Sequence, residues 1–257
     1  MTSPQDWRNS CARNYVVQCM TVSVQRADTR FVTDLGWLDS KHSFNFDHHY
    51  SPEHTRHGLL LVHNDDIVAG GQGFGTHGHR DMEIVTWVLS GTLAHRDSEG
   101  NEGTLYRGLA QRMSAGSGIR HSEMNPDPDV PAHFIQMWVL PDTAGVKPGY
   151  EQIDINEALD AGGLVAIASG QHHEGAVSIH QKDAVLWGAR LKAGETITVP
   201  NGGHVHLFVA VGSADLEGSG ALVTGDAVRL SGTEASVGDR KLTAAQDGAE
   251  LLIWVTA

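Results

Sequence analysis

GGQGFGTHGHRDMEIVTW, residues 70–87, carries two histidines two apart, His77 and His79, behind a run of glycines and ahead of an apolar stretch. The apolar stretch is rich in β-branched and aromatic residues, which is how a strand reads. In a strand, residues i and i+2 face the same way. A His-x-His pair beside a strand can therefore aim two imidazoles at one point. The spacing alone does not decide the matter. With 16 histidines in 257 residues, about one such pair is expected by chance. Two occur, at 77/79 and at 204/206.

Partners for the first pair lie in QRMSAGSGIRHSEMN, residues 111–125, where His121 and Glu123 are again two apart. If each pair ends a strand and the strands lie side by side, four groups converge: His77, His79, His121 and Glu123. Three imidazoles and a carboxylate suit Fe, Mn, Co, Ni, Cu or Zn. Four protein ligands on a six-coordinate ion leave two positions for substrate or O₂, unlike a closed structural site. A glutamate there also offers a general base, Glu123. The same residues would serve equally as polar groups in glycine-rich turns.

The rest of the chain reads as strands. LLLV and DIVAG flank Asn64-Asp65-Asp66, which reads as a turn between two strands. MEIVTWVLSGTLAHRDSEGNEGTL reads as a strand pair turning at SEGNEG. VPAHFIQMWVLP is a strand bounded by Pro131 and Pro141. YEQIDINEALDAGG (150–163) breaks the pattern and fits a short connecting helix or 3₁₀ turn. Strands then resume as GLVAIAS, AVSIH, AVLWGARL, ETITVP, VHLFVAV, ADLEG and LLIWVTA. The 30 glycines supply many turns. Two similar halves predict an all-β fold of two tandem jelly-roll barrels, over 21–150 and 151–257. Residues 1–20 lack periodicity and read as a flexible extension.

Composition narrows the function. A net charge of −13 argues against direct binding to nucleic acid or an anionic membrane surface. No apolar run approaches the ~20 residues of a membrane-spanning helix, and the N-terminus shows no secretory signal. The two cysteines, Cys11 and Cys19, build no disulfide framework, which predicts a reducing, cytoplasmic setting and inert thiols.

FGTHGHRDMEIVTWVLSG and QRMSAGSGIRHSEMN together resemble the pirin family of metal-binding bicupins, above all its bacterial quercetinase-like branch. GWLDSKHSFNFDHHYSPEH, HFIQMWVLP and PGYEQ are similar to that branch as well. The resemblance covers roughly residues 21–257 and is densest from 36 to 152. Gly78 departs from the family, which usually has proline between the two histidines. The resemblance implies two cupin barrels, with one ion in the N-terminal barrel held by His77, His79, His121 and Glu123. Glu83 matches the glutamate of the ordinary first cupin motif. The resemblance leaves it off the ion and gives it a role in orienting a ligand or a strand.

The function this implies is a metal-dependent dioxygenase that opens a flavonol, such as quercetin, with O₂ and releases CO. Its cofactor would be one divalent transition-metal ion, Fe(II) first, with Zn, Mn, Co, Ni or Cu also suitable. The alternative is a redox-sensing regulatory protein that binds a protein partner without turnover; a third reading is a site that has lost its use. For His204 and His206 the expectation is a structural or surface role, because LVTGDAVRLSGTEASVGDR downstream contains no histidine. DHHYSPEHTRHG reads as exposed turn histidines, or as the mouth of a pocket. Trp87, Phe134, Met137 and Trp138 read mainly as core.

Overall fold

β-branched and aromatic runs broken by glycine make nearly every element a strand. The computed structural model describes residues 21–232 and 239–257; the extension expected over 1–20 lies outside the described residues. In chain order the strands of the first half are β1 (Thr21–Gln25), β2 (Phe31–Asp34), β3 (Leu38–His42), β4 (Leu60–Val68), β5 (Gly73–His79), β6 (Glu83–Ser90), β7 (Leu93–Asp97), β8 (Glu102–Leu105), β9 (Leu109–Ser114), β10 (Ile119–Met124), β11 (Ala132–Val139) and β12 (Gly149–Asp154). A one-turn helix, α1 (Asn156–Asp160), follows. The second half holds β13 (Val165–Ser169), β14 (Val177–Ser178), β15 (Ala184–Leu191), β16 (Thr196–Thr198), β17 (His204–Leu216), β18 (Gly220–Val223), β19 (Ala227–Ser231) and β20 (Lys241–Thr256).

The architecture is all-β, two jelly-roll barrels in tandem. In the first, a seven-stranded sheet ordered β12-β9-β6-β11-β4-β3-β2 faces a four-stranded sheet ordered β5-β10-β7-β8. The second is built on a nine-stranded sheet whose main path is β1-β19-β17-β20-β15-β13-β14. β6 is buried at every position but its last, because one face fills its own barrel and the other meets the second barrel. One apolar cluster runs across the boundary, from Phe44, Val85 and Trp87 to Phe208, Leu252 and Trp254. Within it, Trp87 Nε1 donates to the buried Glu250 carboxylate at 2.9 Å, which Arg107 also holds at 2.6 Å.

Several expectations need correction. Asn64-Asp65-Asp66 is no turn: β4 runs straight through it. Turn preference is a local bias, and here cross-strand partners outweigh it. Asn64 Oδ1 meets His42 Nδ1 at 2.8 Å, Ser40 Oγ donates to Asp66, and Asp65 is held by Arg30 at 2.8 Å and His133 at 2.7 Å. MEIVTWVLSGTLAHRDSEGNEGTL forms three strands, β6, β7 and β8, because Ser90-Gly91 also turns, with Gly91 at φ 70°. ADLEG continues VHLFVAV within β17. β1, placed by sequence in the first barrel, pairs with β19 of the second from Thr21↔Ser231 to Gln25↔Ala227. β12 carries the first barrel's sheet on to Asp154 by pairing with β9.

Candidate metal centre

β10 lies between β5 and β7, and its register decides which side chains meet. His121 is opposite His77 on β5 and Asp97 on β7. An irregularity in the β5 pairing between His121 and Glu123 then sets Glu123 opposite Phe74, while the regular β7 pairing sets it opposite His95. Gly73 permits the approach of β5, since a Cβ there would sit 2.3 Å from the Glu123 carbonyl oxygen.

The three imidazoles called from sequence come together. Ring centroids lie 4.8 Å apart for His77 and His79, 4.4 Å for His77 and His121, and 4.9 Å for His79 and His121. Their nearest nitrogens are all within 4.8 Å of one another. Glu123 groups instead with His121 and His95, again within 4.8 Å. The candidate donors thus form two overlapping triads sharing His121.

Hydrogen bonds set which nitrogen His77 and His121 offer. His77 Nδ1 donates to the Gly75 carbonyl at 2.8 Å, which leaves Nε2 as the lone-pair nitrogen. Asp97 Oδ2 accepts from His95 Nε2 at 3.2 Å. His95 Nδ1 can then accept from His121 Nδ1, 3.5 Å away, and His121 Nε2 faces the cluster without a hydrogen-bond partner. His79 Nε2 is likewise buried and unpartnered. A buried nitrogen left so is costly unless something accepts its lone pair, and a cation satisfies that need in both rings. Burial pushes His79 down to about 4 and His121 to about 3, with neighbouring histidines adding to both effects. Both rings are neutral at pH 7, the state in which imidazole binds a metal. Burial raises Glu123 above the usual carboxylate range, while Gln136 Nε2 donates to its Oε2 at 2.8 Å.

His77, His79 and Glu123 border a cavity of about 430 Å³. Trp37, Phe46, Phe74 and Trp138 give it aromatic walls, and Ser40, His42, Asn64 and Asp66 a polar floor. Trp138 thus lines the cavity, its ring 4.9 Å from His79, whereas Trp87, Phe134 and Met137 are core. Sequence reasoning missed His95, although His95 and Asp97 show the same i, i+2 spacing. It missed the floor because Asn64-Asp65-Asp66 reads as a turn.

The other candidates fall elsewhere. Glu83 accepts from Ser114 Oγ at 2.7 Å and from the His180 backbone N–H at 3.1 Å, so it ties β9 to the second half. His204 bonds the Ala257 carbonyl oxygen. His206 is buried, 4.9 Å from the His63 ring. Of the histidine-rich segment, His48 is exposed, His57 is buried against carbonyls of β17 and β19, and Asp47 reaches the cavity, as does Phe46 just before the segment.

Known proteins show which family the fold belongs to. The family profile described as Pirin matches residues 23–139, and that of the quercetinase C-terminal cupin domain matches 166–254. A Mycobacterium tuberculosis (strain H37Rv) protein provisionally named quercetin 2,3-dioxygenase is 52% identical over 235 residues, 91% of this chain and 94% of that protein. Quercetin 2,3-dioxygenase of Escherichia coli K12 is 41% identical over 176 residues, 68% of this chain and 75% of that protein. The crystal structure of the bacterial pirin YhhW from E. coli, in complex with nickel(II), superposes with a TM-score of 0.81 at 32% identity, covering 92% of this chain and 99% of that one.

Proposed function

The chain belongs to the pirin family, and from that premise we propose that it is a metal-dependent dioxygenase acting on a flavonol-like substrate with release of CO. The carrying observation is the set of convergent imidazoles, two with buried unpartnered Nε2 atoms, at one end of an aromatic-walled cavity. His77, His79, His121 and Glu123 are the proposed ligands of one divalent ion. The donor set suits Fe(II) and equally Mn, Co, Ni, Cu or Zn; the E. coli relative was crystallised with nickel. A divalent ion held by these residues would supply Lewis acidity toward an enolic oxygen.

The chain's own residues do the rest. Trp37, Phe74 and Trp138 offer apolar faces to a flat polycyclic ligand and exclude water from it. Glu123, buried beside the cluster, accepts the proton of the enolic hydroxyl. Gln136 keeps the carboxylate oriented through its amide, and Trp138 Nε1 fixes that amide by donating to Gln136 Oε1 at 3.1 Å.

The test is anaerobic purification, metal analysis and an O₂-dependent quercetin assay with CO detection. Wild-type protein should consume the flavonol and release CO stoichiometrically. Glu123→Gln should slow turnover on the order of 10²–10⁴-fold while weakening flavonol binding far less. Absence of CO with every one of the ions named, together with metal-redox-dependent affinity for a protein partner, would replace this reading with a regulatory one.

A further inference from the structure

The floor of the cavity carries a hydrogen-bonded chain that the proposed reaction leaves unused. Asp66 is buried and accepts from Ser40 Oγ. Ser40 Oγ lies 3.5 Å from His42 Nδ1, which also meets Asn64 Oδ1 at 2.8 Å. On the far side of the ring, His42 Nε2 meets Thr33 Oγ1 at 2.9 Å, and Thr33 Oγ1 meets His49 Nε2 at 3.1 Å. His49 is half-buried, packed 4.1 Å from the exposed His48 ring.

The partners fix the polarity of this chain. Asn64 Oδ1 and the ionised Asp66 carboxylate can only accept. His42 therefore carries its proton on Nδ1 and Ser40 points its hydroxyl at Asp66. Nε2 of His42 must then accept, so Thr33 donates to it and takes its own hydrogen bond from His49. Thr33 and Ser40 thus donate inward, and the His42 Nδ1–H is shared between Asn64 Oδ1 at 2.8 Å and Ser40 Oγ at 3.5 Å. We infer that Thr33, His42 and Ser40 form a proton wire joining Asp66 in the cavity to the half-buried His49.

A proton taken from solvent on His49 Nδ1 releases the Nε2 proton to Thr33. Thr33 gives its hydroxyl proton to His42 Nε2, His42 its Nδ1 proton to Ser40, and Ser40 its hydroxyl proton to Asp66. Every N–H or O–H bond that breaks is matched by one that forms, and the net change is one proton moved from solvent to Asp66. The wire matters because a flat aromatic ligand filling the cavity would expel the water that otherwise exchanges protons with the interior. Burial helps at both ends of the inner segment. It lowers His42, keeping the ring neutral and able to accept and donate, and it raises Asp66 to about 7, with Asp65, Glu123 and Asp39 as the facing charges that add to the shift. A use in turnover rests on the flavonol reading; the wire itself does not.

The test is rapid-mixing infrared spectroscopy of the ligand-free protein, following hydrogen–deuterium exchange of a protonated carboxyl at about pH 5, below the Asp66 midpoint. Asp66→Asn should remove that carbonyl band, and retention of every band would overturn the proposal. Thr33→Val, nearly isosteric on a solvent-facing strand, should slow exchange on the order of 10²-fold, with Thr33→Ser close to wild type. His49→Ala should slow exchange too and be rescued by added imidazole, a response that a packing role would not give. Unchanged exchange in Thr33→Val would overturn the wire. A working wire in a protein that consumes no flavonol would reject the proposed reaction and leave the wire standing.

Discussion

His95 is the residue whose part in the candidate metal centre can be tested most directly. Asp97 fixes its tautomer, and through it the tautomer of His121. Partners one step from a metal typically change affinity 10–100-fold when removed. His95→Phe should therefore weaken ion binding by roughly 10–100-fold, although His77, His79 and His121 all remain. Competition against a chelating dye measures this, and wild-type affinity in His95→Phe would make the ring a bystander. Replacing both His77 and His79 by alanine should abolish binding, as metal analysis of the purified variant will show. The three clustered histidines were legible in the sequence because strand periodicity puts His77 and His79 on one face, and His121-x-Glu123 supplies a second such pair that the family resemblance joins to the first. The grouping of Glu123 with His95 was not legible. It follows from the pairing of β10 with β7, which no local pattern announces.

Strand pairing explains the rest of the site. Gly73→Ala would press a methyl group on the Glu123 carbonyl and part β5 from β10, where Met124 Cα is only 2.6 Å from the added Cβ. Overpacking of this kind costs about 1–3 kcal/mol. Ion binding should weaken as well, although no donor is lost; thermal melts with and without metal separate the two effects. Gly78→Ala is the contrasting case. Its Cβ would meet the Ile119 carbonyl at 3.7 Å, an ordinary contact. The loss of unfolded-state freedom should stabilise the protein by about 0.4–1 kcal/mol, which urea denaturation can resolve. The elements most legible beforehand were those with long β-branched runs, such as β6 and β11. β4 was misread because its polar centre has partners on β3 and β11 that exist only once the sheet has formed.

At the scale of the whole molecule, the seam between the barrels makes stability depend on pH. Burial, reinforced by Arg30 and Arg229, pushes His63 down to about 3 and His206 well below its ordinary value, and burial with His204 and Arg229 nearby takes His57 to about 4. These rings stay neutral in the folded chain but take up protons in the unfolded chain below about pH 6.5. The unfolded state thus binds more protons between pH 6.5 and the folded values, and stability falls as pH drops through that window. At pH 5 each such histidine should cost roughly 2 kcal/mol relative to pH 7.5. His206→Leu should flatten the dependence, as urea midpoints at the two pH values will show; an equally steep dependence in the variant would point to other groups. The tandem barrels were legible from two all-β halves. The shared core and its buried histidines were not, because periodicity tells which residues turn inward but not which barrel they meet.

β1 sets an order of events during synthesis. Its strand leaves the ribosome before the first barrel, yet its partner β19 follows the whole of that barrel, and Arg26 and Asp226, which bind beside that pairing, are 200 residues apart. The first barrel can close before the second exists, while β1 stays an unpaired tether. Docking β1 is then a late clasp that holds the two barrels together. Long-range closure of this kind is slow, and until it happens β19 presents a bare edge. A second chain's β1 fits that edge equally well, so refolding at high protein concentration favours exchanged dimers.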